Sequence, residues 1–320
     1  MSKDNMIWAY LMHLGECMWG DFEPGDGGQC LFTDKVSFDQ NVWLDVSKKL
    51  HEKQCCNMII IDIGEGVIFD SHPEIKAPGA LTKKQLKDEI LRLRGLGFEV
   101  IPKLNFATSH DKWMGIYSRM VSTPQYYKFC TDVIDEMCEL FDHPRFFHLG
   151  MDEECFSIQK RLPLCIIRHH SLFWHDMNFL FKAVEKNGSR PWIWADYVWH
   201  TPESQKSFLE NMTKDILLSN WYYGDWTHTD TFFYDSMCAY KLLEEHGFDQ
   251  IPTAGNCNRV VEYNTKSMKL TIENTINTIA PERLKGYMMT SWEPTNEIMR
   301  PRLMEAVDIM DDGFKFYHNK

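Results

Sequence analysis

No run of apolar residues in this chain reaches the roughly 18 that a membrane span needs. Low-complexity tracts and fixed-period repeats are missing as well, which excludes solenoids, collagen-like rods and long disordered linkers. The ten cysteines of the 320 residues include no C-x-x-C pair, so neither a zinc ribbon nor a disulfide scaffold is indicated. Cys130, Cys138, Cys165 and Cys238 lie in apolar segments and are expected to be free, buried thiols; the adjacent Cys55 and Cys56 do not bridge each other. Positive charge is scarce: 34 Lys and Arg against 46 Asp and Glu give a net charge of -12. Nucleic acid and anionic membranes are therefore not expected as partners. The N-terminal run Met6–Met12 is too short and too aromatic for a secretory signal. A cytoplasmic location is expected; the alternative is an exported protein whose signal is not part of this sequence. Nothing in the sequence fixes an oligomeric state.

Against these absences stands a repeating pattern. Short apolar runs alternate with polar or glycine-containing turns and amphipathic segments. The runs are Ile7–Met12, Met58–Ile61, Phe98–Phe106, Phe146–Glu154 with its three closing acids, Pro191–Asp196, Ile216–Trp221, Ile251–Asn256 and Gly286–Glu293. Between them, Phe38, Val42, Val46 and Leu50 recur at helical spacing. Thr82-x-x-Gln85 reads as a capping box, Pro124 as a first-turn proline, and a long helix is expected from about Leu164 to Lys186. Eight strand–helix units predict an α/β protein, a single (β/α)8 TIM barrel over residues 1–320 with no accessory domain.

Chemistry in such a barrel collects where strands end at their C-terminal side. Those positions here hold His13 and Glu16, which Trp19 follows in the chain; Asp62 and Glu65; His110; Asp152 and Glu153; Trp194 and Asp196; Trp221; Asn256; and Trp292 and Glu293. A Gly-rich loop with Gly25, Gly27 and Gly28 follows the first run. Carboxylates interleaved with indoles suit carbohydrate. One carboxyl group protonates a glycosidic oxygen, a second group handles positive charge on the sugar, and flat rings cover apolar sugar faces. Trp8, Trp43 and Trp174 sit within elements and are assigned to the core. Trp192 and Trp194 flank Ile193, and one of the two, Trp192, is expected to face the helices. His13 and His148 also fit a bland reading as buried, hydrogen-bonded histidines. Glu154 is read as solvent-facing or as leading the next helix.

The stretch His148-Leu149-Gly150-Met151-Asp152-Glu153 fits the H-x-G-x-D-E signature and resembles the β-N-acetylhexosaminidases of glycoside hydrolase family 20. The likeness extends in scattered blocks over about residues 55 to 295, including Gly79–Thr82, His110, Trp221 and Ser291-Trp292-Glu293. It implies that Glu153 is the general acid. Asp152 would orient the 2-acetamido group of the substrate as nucleophile, Trp292 would wall the sugar pocket, and Glu293 would bind hydroxyls. His110, His148, Trp194, Asp196, Trp221 and Glu65 complete the expected substrate-binding set. A carbohydrate substrate is expected, with neither cofactor nor metal. The sequence also departs from the family. No arginine occurs in residues 6–20, Lys103 and Asn105 stand where acids are usual, and no tyrosine follows the seventh run between Thr253 and Asn258. Three further readings stay open: a sugar-binding barrel without turnover; a glycosidase for a sugar lacking the acetamido group, with Glu293, Asp196 or Glu65 as nucleophile or base; and a metal-dependent hydrolase built on Asp62, His110 and His148.

Overall fold

A computed structural model describes residues 6–16, 35–160, 162, 164–227, 231–258 and 260–319, without the side chains of 231–233. Trp19 and the glycines at 25, 27 and 28 lie outside the described residues. The expected barrel is present. Strands β1 (Ile7–His13), β2 (Met58–Asp62), β3 (Glu99–Lys103), β4 (Phe146–His148), β5 (Arg190–Trp194) and β6 (Leu217–Ser219) pair in sequence order and in parallel. The seventh strand is in two pieces, β7 (Asp249–Gln250) on β6 and β8 (Thr253–Gly255) on β9 (Gly286–Thr290), which returns to β1 and closes the ring. Pro252 stands at the break and has no N–H to give the ladder. The strands read as continuous apolar runs because both faces are covered.

One face of each strand fills the barrel interior with Ala9, Leu11, Ile60, Ile101 and Met288 among others. The opposite face packs under the helices in a larger cluster. These include α1 (Gln40–Lys53), α2 (Lys83–Gly95), α3 (Pro124–Leu140), the short α4 (Phe156–Gln159) and α5 (His170–Glu185). Then come α6 (Tyr197–His200), α7 (Pro202–Asn211), α8 (Thr231–Glu245), α9 (Val261–Thr275) and α10 (Arg300–His318). The Thr82–Gln85 capping box forms, and Pro124 opens α3. Trp8, Trp43 and Trp174 are core residues. No helix among the described residues is long and apolar enough to cross a membrane.

Three expectations are corrected. The helix expected from Leu164 starts at His170, after an irregular segment. Trp192 and Trp194 both belong to the interior cluster, with Ile193 on the outside; residues two apart on a strand share a face. Cys165 and Cys238 are exposed, whereas Cys130 and Cys138 are buried.

Strand register sets the floor of the site. His13 lies opposite Asp62, Asp62 opposite Lys103, and Lys103 opposite His148. All four are essentially buried. Lys103 Nζ sits 2.5 Å from Asp62 Oδ2, and His13 Nδ1 lies 3.3 Å from the same oxygen. Burial alone would raise Asp62, but Lys103 and His13 outweigh it and hold the carboxylate below its ordinary range.

Candidate active site

β4 ends at His148, and the acids follow in a loop rather than on the strand. Strand alternation therefore does not separate Asp152 from Glu153. The separation comes from backbone shape: Gly150, Met151 and Glu153 all take positive φ, at 70°, 74° and 57°. Such angles are sterically costly for Met and Glu, so surrounding contacts must hold them. Asn105 is the principal contact. Its Oδ1 accepts the Met151 amide at 3.1 Å, and its Nδ2 donates to Asp152 Oδ1 at 2.7 Å. Ser109 Oγ donates to the Asp152 carbonyl at 2.8 Å. The Glu153 amide donates to Asp196 Oδ2 at 2.7 Å.

His110 joins the two acids. Its Nε2 lies 3.1 Å from Glu153 Oε2 and 3.5 Å from Asp152 Oδ2. The Asp152 side chain is 11% exposed and that of Glu153 27%, so the second carboxyl group is the more accessible of the two. Burial pushes the Asp152 carboxyl above the usual aspartate range, with Asp196 and Glu153 adding to the effect and His110 opposing it.

Three indoles and a phenol form one connected aromatic group. Trp292, itself at φ 53°, packs against Trp194 with centroids 5.4 Å apart and against His13 at 5.6 Å. Lys103 Nζ lies 5.9 Å from the Trp292 ring centre. Trp292 Nε1 donates to the Tyr223 hydroxyl at 2.9 Å, and Tyr223 stacks on Trp221 at 5.4 Å. Burial, and to a smaller degree the nearby Asp152, keeps the Tyr223 hydroxyl protonated. Glu293 is buried and raised by that burial, and Arg302 of α10 faces it at 3.5 Å.

The expected site residues thus divide. Asp152, Glu153 and His110 converge, while Trp292 joins the buried Trp194 and, through Tyr223, Trp221. His148 lies fully buried between Trp192 and Trp194, and its Nδ1 accepts the Gly150 amide at 3.0 Å. It supports the loop. Asp196 is also fully buried, and its Oδ2 takes His200 Nε2 at 2.8 Å besides the Glu153 amide. Glu65 is buried against the Glu16 backbone amide. Glu154 does not face solvent: it is 2% exposed and paired with Arg168. Sequence reasoning missed Tyr223, although Trp221-Tyr222-Tyr223 closes the sixth apolar run and residues 221 and 223 are two apart.

Among the described residues, the group of His, Cys, Asp or Glu whose ligand atoms converge is His110, Asp152 and Glu153, within 4.8 Å of one another. Asp62 and His148 are not in it, so the triad needed for a metal-dependent hydrolase is not assembled.

The sequence matches the model of the glycosyl hydrolase family 20 catalytic domain over residues 72–232. No curated protein matches it. The fold is similar to that of a β-N-acetylhexosaminidase from Bacteroides fragilis, with TM-score 0.65 and 13% identity over 95% of this chain and 65% of that one. It is similar to a family 20 exo-β-N-acetylglucosaminidase from Vibrio harveyi in complex with N-acetylglucosamine, with TM-score 0.59 and 15% identity over 95% of this chain and 54% of that one. Dispersin B gives TM-score 0.58 and 13% identity over 96% of this chain and 98% of its own. This chain spans less than two thirds of the Bacteroides and Vibrio chains.

Proposed function

This chain belongs to glycosyl hydrolase family 20, and on that premise we propose that it removes a terminal β-linked N-acetylhexosamine by a substrate-assisted, retaining mechanism. The observation that carries the reading is the His110-bridged pair, with Asp152 the more buried and Glu153 the more accessible. Glu153 gives its proton to the leaving oxygen. The acetamido carbonyl oxygen attacks the anomeric carbon, and Asp152 takes the hydrogen bond from the acetamido N–H and balances the positive charge that develops. Glu153, now a carboxylate, removes a proton from the water that opens the cyclic intermediate. The Tyr223 hydroxyl, which accepts from Trp292, has its own proton to donate to the acetamido oxygen. That supports Tyr223, placed after β6, as the counterpart of the tyrosine that the family carries after its seventh strand. Trp292 walls the sugar, and Glu293 takes its hydroxyls.

A glycosidase for sugars without the acetamido group would need another carboxylate at the anomeric carbon. Asp196 is fully buried and committed to the Glu153 amide and His200, which weighs against it. The test compares aryl β-N-acetylglucosaminide with aryl β-glucoside. Turnover of the first alone, lost in Glu153→Gln with the fold intact, is expected; equal turnover of both substrates overturns the reading.

A further inference from the structure

The acid after the signature carries a role of its own. Glu154 and Arg168 are each 2% exposed and meet in a two-point fork, Nε to Oε1 at 2.8 Å and Nη2 to Oε2 at 2.6 Å. Glu154 Oε1 also accepts the Arg168 backbone amide at 3.0 Å, and Oε2 accepts the Thr108 amide at 3.3 Å. The guanidinium reaches onward to the Phe106 carbonyl at 3.0 Å and to Asp176 of α5 at 3.2 Å. A buried ion pair is a poor source of net stability, because desolvation offsets much of the attraction. What the bidentate geometry supplies is direction. Here it ties together the two loops that hold the chemistry. Glu154 is the residue after Glu153, whose backbone is at positive φ, and Thr108 is two residues before His110.

We propose that the Glu154–Arg168 pair is a positioning device for the general acid: it fixes the backbone on the C-terminal side of Glu153 and the His110 loop in one frame. The Asp196 contact fixes the other side, at the Glu153 amide. The proposal rests on the reading of Glu153 as the acid. It predicts a specific kinetic signature. Misplacing a general acid slows departure of a poor leaving group, which needs the proton, and spares a good one, which does not. Mere loosening of the fold slows both alike.

The experiment measures kcat/KM on methyl and on 2,4-dinitrophenyl β-N-acetylglucosaminide for the wild type and three variants. The double variant Glu154→Gln with Arg168→Met removes both charges together, leaving none unpaired toward the other. With an unchanged melting profile, it is expected to lose about tenfold to a hundredfold on the methyl glycoside and less than about threefold on the dinitrophenyl glycoside. Arg168→Lys keeps the charge but loses the fork; it is expected to show the same split in smaller measure, and it carries the test should the double variant not fold. Equal losses on both substrates, or no loss on either, overturn the proposal. Glu153→Gln is measured beside them. If it shows no split, the assignment of the acid fails; if it shows the split and the pair variants do not, the positioning role alone fails.

Discussion

The Asn105 amide nitrogen donates to Asp152 Oδ1 at 2.7 Å, while its side-chain oxygen accepts the amides of Ala107 at 3.0 Å and Met151 at 3.1 Å. One neutral side chain on the β3 loop thus orients the acid and ties down the β4 loop. Asn105→Ala leaves two buried N–H groups and a carboxylate oxygen without partners, at a cost of about 1–3 kcal/mol each before relaxation. A melting temperature lowered by several degrees and a fall in kcat are expected from calorimetry and steady-state kinetics. Asn105→Asp keeps the acceptor but adds negative charge beside Asp152, so the acid limb of kcat/KM is expected to move to higher pH.

Asp196 supplies the reverse experiment. Its charge is among the groups that raise Asp152. Asp196→Asn retains an oxygen for the Glu153 amide and removes the charge. Asp152 then ionises more readily, so the acid limb of the pH profile is expected to shift to lower pH. A limb that stays in place or rises contradicts this electrostatic link.

The Lys103–Asp62 pair makes stability depend on pH. The folded pKa of Asp62 lies below the unfolded value near 3.8. Its stabilisation is therefore present above that value and is lost as pH falls through the folded pKa. Lys103→Met leaves a buried carboxylate without its main partner, with an expected loss of about 3–5 kcal/mol at neutral pH. Because burial then raises Asp62, the deficit is expected to narrow on acidification. Denaturant melts at pH 7 and pH 4 distinguish this from a deficit independent of pH.

Tyr223→Phe keeps the ring stacked on Trp221 and removes only the hydroxyl. The Trp292 indole N–H loses its acceptor, so stability is expected to fall by about 1 kcal/mol. Turnover of an N-acetylglucosaminide is expected to fall by about fivefold to a hundredfold, the range for losing one hydrogen bond of about 1–3 kcal/mol. A variant with wild-type kcat removes Tyr223 from the proposed mechanism.

The barrel was legible because parallel strands buried on both faces write themselves as apolar runs, and even the broken seventh strand kept its run around Pro252. Asp152 and Glu153 were legible through a six-residue signature. The roles of Glu154 and Arg168 were not, since they stand 14 positions apart across an irregular segment and charge pairing at that distance leaves no periodic trace. The separation of Asp152 from Glu153 arises from left-handed residues, which non-glycine sequence does not announce. Trp192 was misplaced by a face argument that period two itself corrects.

Gly150 gives the signature a second meaning. A Cβ there would come within 2.2 Å of Asn105 Oδ1 and 2.8 Å of its Cα, at a backbone φ of 70°. Positions 105 and 150 are therefore not free to vary independently. A library randomised at both would return glycine at 150 wherever 105 keeps its amide, and variants with a side chain at 150 would survive only with a shortened residue at 105 and a rebuilt loop. The glycine of the H-x-G-x-D-E pattern is thus tied to a residue 45 positions upstream: a side chain at 150 requires a change at 105, whereas 105 can change beneath a retained glycine.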